Sequence, residues 1–424
     1  MTDLLGHERR PQADSQRSSA SATIGLRPVR SPIALSVVRF LRHCIFFLGC
    51  TIVVIVLLAP FLEFSARAIW SIHPITQEAD IENQRQSPVY AGADWAREFW
   101  SEETSRRKSL RTYVPFRVWG VTDWHGKYIN NDPGLKGVWR RTINQANCDS
   151  PHRESVWAFG GSTIYGTGVP DWGTIPSYLS RDLNAGSQEC VVAANFGVEG
   201  YVIDQELILL EDLLKAGGHP DVVIFYDGVN DSTLAWPPSS SPDAHFRLGP
   251  IKNRVEGSLS GRLDFFQNSY ALRLAREVLA HRHRARSFTD AISKTRPNVL
   301  AIADNYEANI RLARALGKAY GFKVYCFWQP LLIYGHKPLV PFEQQLAALD
   351  GAGTSANSAW ILAMAAVYRE VERRSAGSEN FVFLGGLFDS TREPVYLDEG
   401  HLGPRGNEIA AEVIASYIKD HPEH

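Results

Sequence analysis

Short apolar runs alternate with longer helical segments along residues 155–424, and this alternation constrains the fold more than any other feature. Each apolar run has four to six residues, and a segment with helical periodicity lies before or after it. Repeated strand–helix units of this kind build a parallel sheet that helices cover on both faces. The sequence therefore predicts an α/β fold. Its strands are expected at Val156 to Phe159, Cys190 to Ala194, Asp221 to Tyr226, Lys323 to Trp328 and Phe381 to Leu384.

Residues with catalytic chemistry follow three of the predicted strands and precede the last predicted helix. In an open parallel sheet, ligands bind at the carboxyl ends of the strands, so these residues are expected to meet at one edge. The first strand ends in Gly160-Gly161, directly before the first of them. In chain order they are Ser162, Gly200, Asn230, Asp398 and His401.

Together these residues could form a nucleophile, its base and an oxyanion hole. A serine hydroxyl becomes a strong nucleophile when a histidine takes its proton and a carboxylate fixes the histidine tautomer. Asp398 stands three residues before His401, close enough to reach one imidazole nitrogen within a single turn. The N–H of Ser162, the N–H of Gly200 and the side-chain amide of Asn230 are candidate donors to a developing oxyanion.

Each motif also has a structural interpretation. Gly-Gly-Ser is often a turn, Asp-x-x-His is often the start of a surface helix, Asn230 could form an Asx-turn, and Gly200 could lead into a helix. Their joint occurrence, each after its expected strand, favours a catalytic site.

These blocks, in this order, resemble the SGNH/GDSL hydrolase family, which is named for its Ser, Gly, Asn and His. The resemblance rests on Gly160-Gly161-Ser162-Thr163, Asn195-Phe196-Gly197-Val198-Glu199-Gly200, Gly228-Val229-Asn230-Asp231 and Asp398-Glu399-Gly400-His401. It implies a flavodoxin-like three-layer α/β/α sandwich with a parallel sheet. It also implies that Ser162 is the nucleophile, that Asp398 and His401 activate it, and that Ser162, Gly200 and Asn230 form the oxyanion hole.

Two departures narrow the resemblance. The family's aspartate before the serine is Gly161 here, as in relatives that begin this block with GGST, and this separates the chain from lipase-like members. The segment Gly160 to Ile164 also lacks the GxSxG pattern, which argues against the α/β-hydrolase fold.

A stretch of 19 residues without charge, Cys44 to Leu62, precedes this region. As a helix it would be about 28 Å long, close to the hydrocarbon thickness of a bilayer. Residues 1–43 carry seven arginines, so the positive-inside rule places the N-terminus in the cytoplasm and residues 70–424 outside. A buried core helix is one alternative, and a signal peptide cleaved near Ala66-Arg67-Ala68 is another. The long N-terminal region and the length of the apolar run favour an uncleaved anchor.

The sequence thus divides into four predicted parts: a disordered, arginine-rich cytoplasmic tail (1–43), a transmembrane helix (44–62), a stalk with a small accessory β-element (63–154), and an SGNH hydrolase-like catalytic domain (155–424). In the third part, Trp119, Trp124 and Trp139 are expected to be core residues, with a sugar-stacking platform as the alternative.

Other features exclude some classes of function. The net charge of -2 does not suggest nucleic acid as a partner. The five cysteines show neither a CxxC motif nor a Cys/His metal spacing, so neither a disulfide framework nor a zinc site is expected. No pattern indicates an organic cofactor.

The expected function is that of a serine-dependent esterase or deacylase that forms an acyl-enzyme. The expected substrate is an O-acylated carbohydrate of the cell envelope or an exported one, outside the cytoplasmic membrane. If the source is a Gram-negative bacterium, this compartment is the periplasm. This substrate follows from the resemblance, because membrane-tethered members act on glycans, and not from site residues. A membrane-anchored O-acyl- or acetyltransferase for a polysaccharide would use the same triad. A non-catalytic glycan-binding assembly protein would not need Ser162, Asn230, Asp398 and His401 together.

Overall fold

The computed structural model describes residues 32–72, 82–109, 111–144, 153–185, 190–235, 248–256, 269–272, 288–351, 355–378 and 381–422, with single positions 241, 243, 245 and 274. Residues 1–31 of the predicted tail lie outside these residues, as do residues 73–81, 110 and 145–152 of the predicted stalk and β-element. The chain forms two compact units, Met1–Phe64 and Ser65–His424.

The first described element is a long helix, α1 (Pro32–Ile72), which contains the predicted span. Between Arg39 and Ala68 it is long and apolar enough to cross a membrane, and it is the one such helix among the described residues. Its apolar side chains, such as Phe46 and Leu57, are exposed. The helix extends beyond the predicted span at both ends, and Pro60 lies inside it.

The remaining elements lie between residues 88 and 420. The strands are β1 (Arg111–Val114), β2 (Val118–Val121), β3 (Trp124–His125), β4 (Asn130–Gly134), β5 (Gly137–Arg140), β6 (Arg153–Gly160), β7 (Cys190–Asn195), β8 (Val222–Asp227), β9 (Lys323–Trp328) and β10 (Phe381–Phe383). The helices after α1 are α2 (Ala96–Arg106), α3 (Ser162–Tyr165), α4 (Ile175–Asn184), α5 (Ile203–Lys215), α6 (Val229–Thr233), α7 (Leu248–Val255), α8 (Phe288–Tyr320), α9 (Pro341–Gly351), α10 (Ser355–Ser375) and α11 (Pro404–Asp420). Short 3-10 turns occur at Pro88–Tyr90, Arg107–Ser109 and Asp171–Gly173.

The central sheet has five parallel strands in the order β10-β9-β8-β6-β7. All six residues of β8 are buried, because helices cover both faces of the sheet. Side chains of α4 and α11 pack on one face, and side chains of α5, α8 and α10 pack on the other. The order is that of flavodoxin-like folds, so the predicted three-layer α/β/α sandwich is confirmed. The direction of strand connection reverses between β6 and its neighbours β7 and β8, and this is where ligands bind in such sheets.

Two small antiparallel sheets, β1-β2 and β3-β4-β5, occupy the region where short strands were expected. The turn between β1 and β2 is strained, since Phe116 and Val118 have φ of 63° and 71°. Between them, the buried Arg117 donates from Nη1 to the Tyr201 hydroxyl at 3.2 Å and from Nε to Asp212 at 3.3 Å. The strained turn therefore directs a cation inward, onto the segment that follows β7.

The segment before β1 packs against the loop that carries Asp398. Tyr90, Phe99, Trp100 and Leu397 belong to one buried apolar cluster. The Tyr90 hydroxyl also donates to the carbonyl of Gly168 at 2.6 Å. Residues predicted to form a stalk thus contribute a packed wall next to the candidate site.

One of the described cysteines takes part in a disulfide. Cys190, buried at the start of β7, is disulfide-bonded, whereas Cys44, Cys50 and Cys326 are free. A single disulfide leaves no repeated spacing in a sequence, so the absence of a cysteine pattern did not reveal it.

Candidate active site

Ser162 lies at the turn where β6 leads into α3. Gly161 precedes the helix, and Ser162 is its first residue. A side chain is excluded at Gly160, because its Cβ would lie 2.7 Å from the Tyr226 carbonyl of the neighbouring strand. The two glycines let the backbone turn sharply, and this places the serine at the carboxyl edge of the sheet.

His401 and Asp398 meet Ser162 although they come from the far end of the chain. The Nε2 atom of His401 lies 2.7 Å from Ser162 Oγ, and its Nδ1 atom lies 2.6 Å from Asp398 Oδ2. With Nδ1–H donating to the carboxylate, Nε2 is free to accept the serine proton. The structure therefore brings the three predicted residues into one hydrogen-bonded chain.

A tight loop holds Asp398 and His401 in register. Tyr396 and Leu402 form an isolated antiparallel bridge, and the Leu397 N–H donates to the His401 carbonyl at 2.8 Å. The buried carboxylate of Glu343 accepts the N–H of Tyr396 at 3.3 Å, and Lys337 neutralises it at 2.6 Å. The loop is thus held by its own backbone hydrogen bonds and by the Glu343 carboxylate of α9.

The Asp398 carboxylate has four hydrogen-bond donors. Its Oδ1 accepts the backbone N–H of Gly400 at 2.9 Å and that of His401 at 2.7 Å. Its Oδ2 accepts His401 Nδ1–H and the side-chain amide of Gln84. An ionised carboxylate offers about four lone-pair positions, so all of them are filled.

The charge states favour general-base chemistry. Burial alone would raise the pKa of Asp398, but the charge and hydrogen bond of His401, with the two backbone N–H groups, hold it well below its usual value. Burial opposes protonation of His401, yet the Asp398 carboxylate outweighs it and raises the pKa of the imidazole. The pair therefore stabilises an imidazolium, the state that forms when Ser162 gives up its proton.

Asn230 lies against the nucleophile turn. It is on the first turn of α6, and its Nδ2 donates to the Tyr201 carbonyl at 2.8 Å, which leaves its second amide hydrogen for a ligand. A Cβ on Gly161 would lie 2.2 Å from Nδ2. A side chain at position 161 would therefore collide with the Asn230 amide in its present position.

The segment that contains Gly200 runs beside the same turn. The Val198 N–H donates to the Gly160 carbonyl at 3.0 Å, and Gly200 has φ of 81°, which favours glycine. The indole Nε1–H of Trp119 donates to the Glu199 carbonyl at 3.0 Å. That carbonyl and the Gly200 N–H belong to one planar peptide group, so the indole also fixes the direction of the N–H.

Carboxyl groups are buried behind the site. Asp231 Oδ1 accepts the Ile203 N–H at 3.1 Å at the start of α5, and Asp227 accepts the Tyr306 hydroxyl at 3.0 Å. Burial raises the pKa of Asp227 to about 7 and raises the pKa values of Glu206 and Asp231 well above their usual range. These acids are uncharged over much of the acidic range and support the fold beneath Asn230.

Two polar contacts of the site were not predicted. Gln84 comes from the segment expected to be a stalk, and Trp119 was expected to be a core residue. Trp119 and Trp139 are indeed buried in the main core. Neither contact leaves a local motif, since each partner is distant in sequence.

Comparisons with known proteins were made once this geometry was established. The family model of the GDSL-like lipase/acylhydrolase family matches residues 158–409, more than half of the chain. No curated protein matches the sequence. An acetylxylan esterase from Geobacillus stearothermophilus is 15% identical, with a TM-score of 0.33 over 62% of this chain and 94% of its own. A member of the lipolytic G-D-S-L family from Veillonella parvula is 13% identical, with a TM-score of 0.31. The match covers 63% of this chain and 97% of that protein.

Proposed function

Because this chain belongs to the GDSL-like lipase/acylhydrolase family and is an ester-hydrolysing enzyme, we propose that it works through a serine acyl-enzyme. The observation that carries the proposal is the hydrogen-bonded chain from Ser162 through His401 to Asp398, with distances of 2.7 and 2.6 Å. Ser162 is the proposed nucleophile, His401 the base, and Asp398 the group that orients it.

The proposed reaction has two halves. In the first, Ser162 Oγ attacks the ester carbonyl, its proton passes to His401 Nε2, and His401 then protonates the departing alcohol. In the second, His401 takes a proton from water as the water attacks the acyl-serine. The acyl–Oγ bond then breaks, the acid is released, and His401 Nε2 returns the proton to Ser162 Oγ. The negative oxygen of each tetrahedral intermediate accepts hydrogen bonds from the Ser162 N–H, the Gly200 N–H and the Asn230 amide.

The proposed substrate is an O-acylated carbohydrate outside the cytoplasmic membrane. The location is supported by α1, by the arginines that precede its apolar part, and by the disulfide at Cys190, since disulfides persist in oxidising compartments. The carbohydrate follows from the resemblance to membrane-tethered members of the family. In this proposal, α1 anchors the catalytic residues close to exported or envelope glycans.

The proposal predicts how the rate depends on pH. Only neutral His401 accepts the serine proton, and the Asp398 carboxylate raises the pKa of the imidazole. We therefore expect kcat/KM to rise with pH through a midpoint above the ordinary histidine value of about 6.5.

The test uses the purified full-length protein with p-nitrophenyl acetate, with and without oligosaccharide acceptors. We expect nitrophenol release by the native protein and a loss of at least about 1000-fold in Ser162→Ala, because the covalent route is removed. Mass spectrometry should detect an acetyl group on Ser162 during turnover. The matched control is Ser232→Ala, which changes a buried serine on the adjacent helix α6.

Each outcome separates the candidate functions. Acetate released into water supports the esterase, whereas acetate transferred to the sugar supports the acyltransferase that uses the same triad. Equal rates in the native protein and in Ser162→Ala would reject the acyl-enzyme. Equal inactivity of both toward short and long acyl esters would favour the glycan-binding assembly protein.

A further inference from the structure

Gln84 is a buried amide that lies against the triad carboxylate. The residue is 5% exposed, and its Nε2 donates to Asp398 Oδ2. An ionised carboxylate only accepts hydrogen bonds, so the nitrogen of the amide must face it. Oδ2 is also the oxygen that accepts His401 Nδ1–H. The Gln84 amide and the His401 imidazole therefore donate to the same carboxylate oxygen of Asp398.

The surrounding segment holds Gln84 in place. The Ser87 hydroxyl donates to the Tyr396 carbonyl at 3.2 Å, two residues before Asp398. The side chain of Tyr90 packs in the same apolar cluster as Leu397. The segment that carries Gln84 is thus held against the triad loop by Ser87 and Tyr90, and the Gln84 amide adds its own hydrogen bond to Asp398.

This segment lies outside the part of the chain that the family model matches, which begins at residue 158. Without Gln84, one of the four acceptor positions of Asp398 would lack its donor. The remaining donors come from Gly400 and His401, the same loop as the carboxylate itself. Gln84 is the one partner that attaches the carboxylate to another part of the molecule among the described residues.

We propose that Gln84 is a positioning residue for the triad, and that the segment before the family domain is therefore a working part of the active site. This inference rests on the proposed function of Ser162, His401 and Asp398. The amide fixes the rotamer of the carboxylate and takes up part of its charge. It thereby sets both the direction and the basicity of His401 Nε2.

Other groups that act on the pair must be considered in a pH experiment. Glu399 of the same loop favours the imidazolium, and Arg107 from the turn after α2 opposes it. Tyr90 lies near the Asp398 charge, and burial keeps its pKa well above the usual value, so it stays neutral in the range of interest. None of these groups is changed by a substitution at position 84.

The test compares Gln84→Met and Gln86→Met in the full-length protein, with kcat/KM for p-nitrophenyl acetate measured as a function of pH. Methionine keeps the length of the side chain and removes the donor. Gln86 is the matched control, because it is exposed on the same segment and donates to Glu82. For Gln84→Met we expect about a tenfold lower kcat with little change in KM, as for the loss of one hydrogen bond to a charged group.

The pH profile separates positioning from a merely structural role. Without the amide, more of the carboxylate charge acts on His401, so the acid limb of kcat/KM should move to higher pH. Gln84→Glu preserves size and adds a second carboxylate, so it should move the limb in the same direction and lower the rate further. If thermal unfolding shows that Gln84→Met does not fold, Gln84→Glu provides the pH measurement in its place.

Ser162→Ala, measured beside these variants, tells the two hypotheses apart. Suppose that Ser162→Ala is inactive and that the Gln84 variants match Gln86→Met in rate and in the pH of the acid limb. This result would overturn the role of Gln84 and leave the proposed function intact. A fully active Ser162→Ala would overturn the proposed function, and the inference about Gln84 with it.

Discussion

At the level of single residues, the backbone of Gly161 lies so close to the Asn230 amide that no side chain fits between them. An alanine Cβ there would be 2.2 Å from Nδ2, an atom that the Tyr201 carbonyl holds in place. We expect Gly161→Ala to displace the amide and to lower kcat by about 100-fold, comparable to the loss of one oxyanion donor. Steady-state kinetics with p-nitrophenyl acetate measure this effect.

A double substitution tests the mechanism of that loss. If Gly161→Ala acts by displacing Asn230, adding Asn230→Ala should cost little more than either change alone. Gly249→Ala is a suitable control, because its Cβ would meet nothing within 4 Å. Additive losses in the double variant would contradict the explanation.

A second residue-scale prediction concerns the buried acid Asp227. Burial raises its pKa to about 7, whereas an aspartate in the unfolded chain titrates near 3.9. Between these values the native state keeps a proton that the unfolded state has lost. The free energy of unfolding should therefore fall as pH rises from about 4 to about 7, and the contribution then stays constant.

Asp227→Asn removes this dependence because an amide does not ionise. We expect the melting temperature of Asp227→Asn to exceed that of the native protein at pH 8. At pH 4 this difference should be smaller. Calorimetry across this range gives the answer, with the exposed Asp94→Asn as the control. Parallel curves for Asp227→Asn and the native protein would refute the titration of Asp227 in this window.

At the scale of secondary-structure elements, the β1-β2 hairpin holds the backbone on both sides of Gly200. Trp119 donates to the Glu199 carbonyl, and the Tyr201 hydroxyl donates to the Trp119 carbonyl. Trp119→Phe keeps an aromatic ring at this position and removes the indole N–H donor. We expect about a tenfold fall in kcat with KM nearly unchanged, because the Gly200 N–H loses its fixed direction.

Trp139→Phe is the matched control for this prediction. In the native protein, the Trp139 indole donates to the Leu135 carbonyl at 2.9 Å, within the turn between β4 and β5. A rate loss in Trp139→Phe as large as that in Trp119→Phe would show that lost packing, not the direction of the peptide, is responsible.

The same elements show what a sequence can predict. The five strands and the blocks at their ends were predictable, because strand and helix periodicity and the loops that follow strands are local features. The placement of Ser162, Asn230, Asp398 and His401 at one sheet edge then follows from parallel topology. The roles of Gln84 and Trp119 were not predictable, because they depend on contacts with the triad loop and with Glu199 that no periodicity encodes.

For the whole molecule, α1 is apolar enough to cross a membrane, and we predict that it anchors the protein. The full-length chain should sediment with membranes and resist alkaline extraction. Two arginines, Val54→Arg with Leu57→Arg, should release it, because each charge at the centre of a span costs about 2.5–3.5 kcal/mol. The control pair is Val54→Ile with Leu57→Ile, and a control that also appears in the soluble fraction would contradict anchoring by α1.

The contact between Gln84 and Asp398 joins positions that are 314 residues apart, and Ser162 and His401 are 239 apart. A ribosome adds about 5–20 residues per second, so Asp398 is made roughly 15 to 60 seconds after Gln84. His401 is made roughly 12 to 48 seconds after Ser162, and during that interval the nascent chain has the proposed nucleophile without its base. On the proposed mechanism, we expect a chain that ends before His401 to be inert toward esters. We therefore expect activity toward esters only in chains that extend beyond His401.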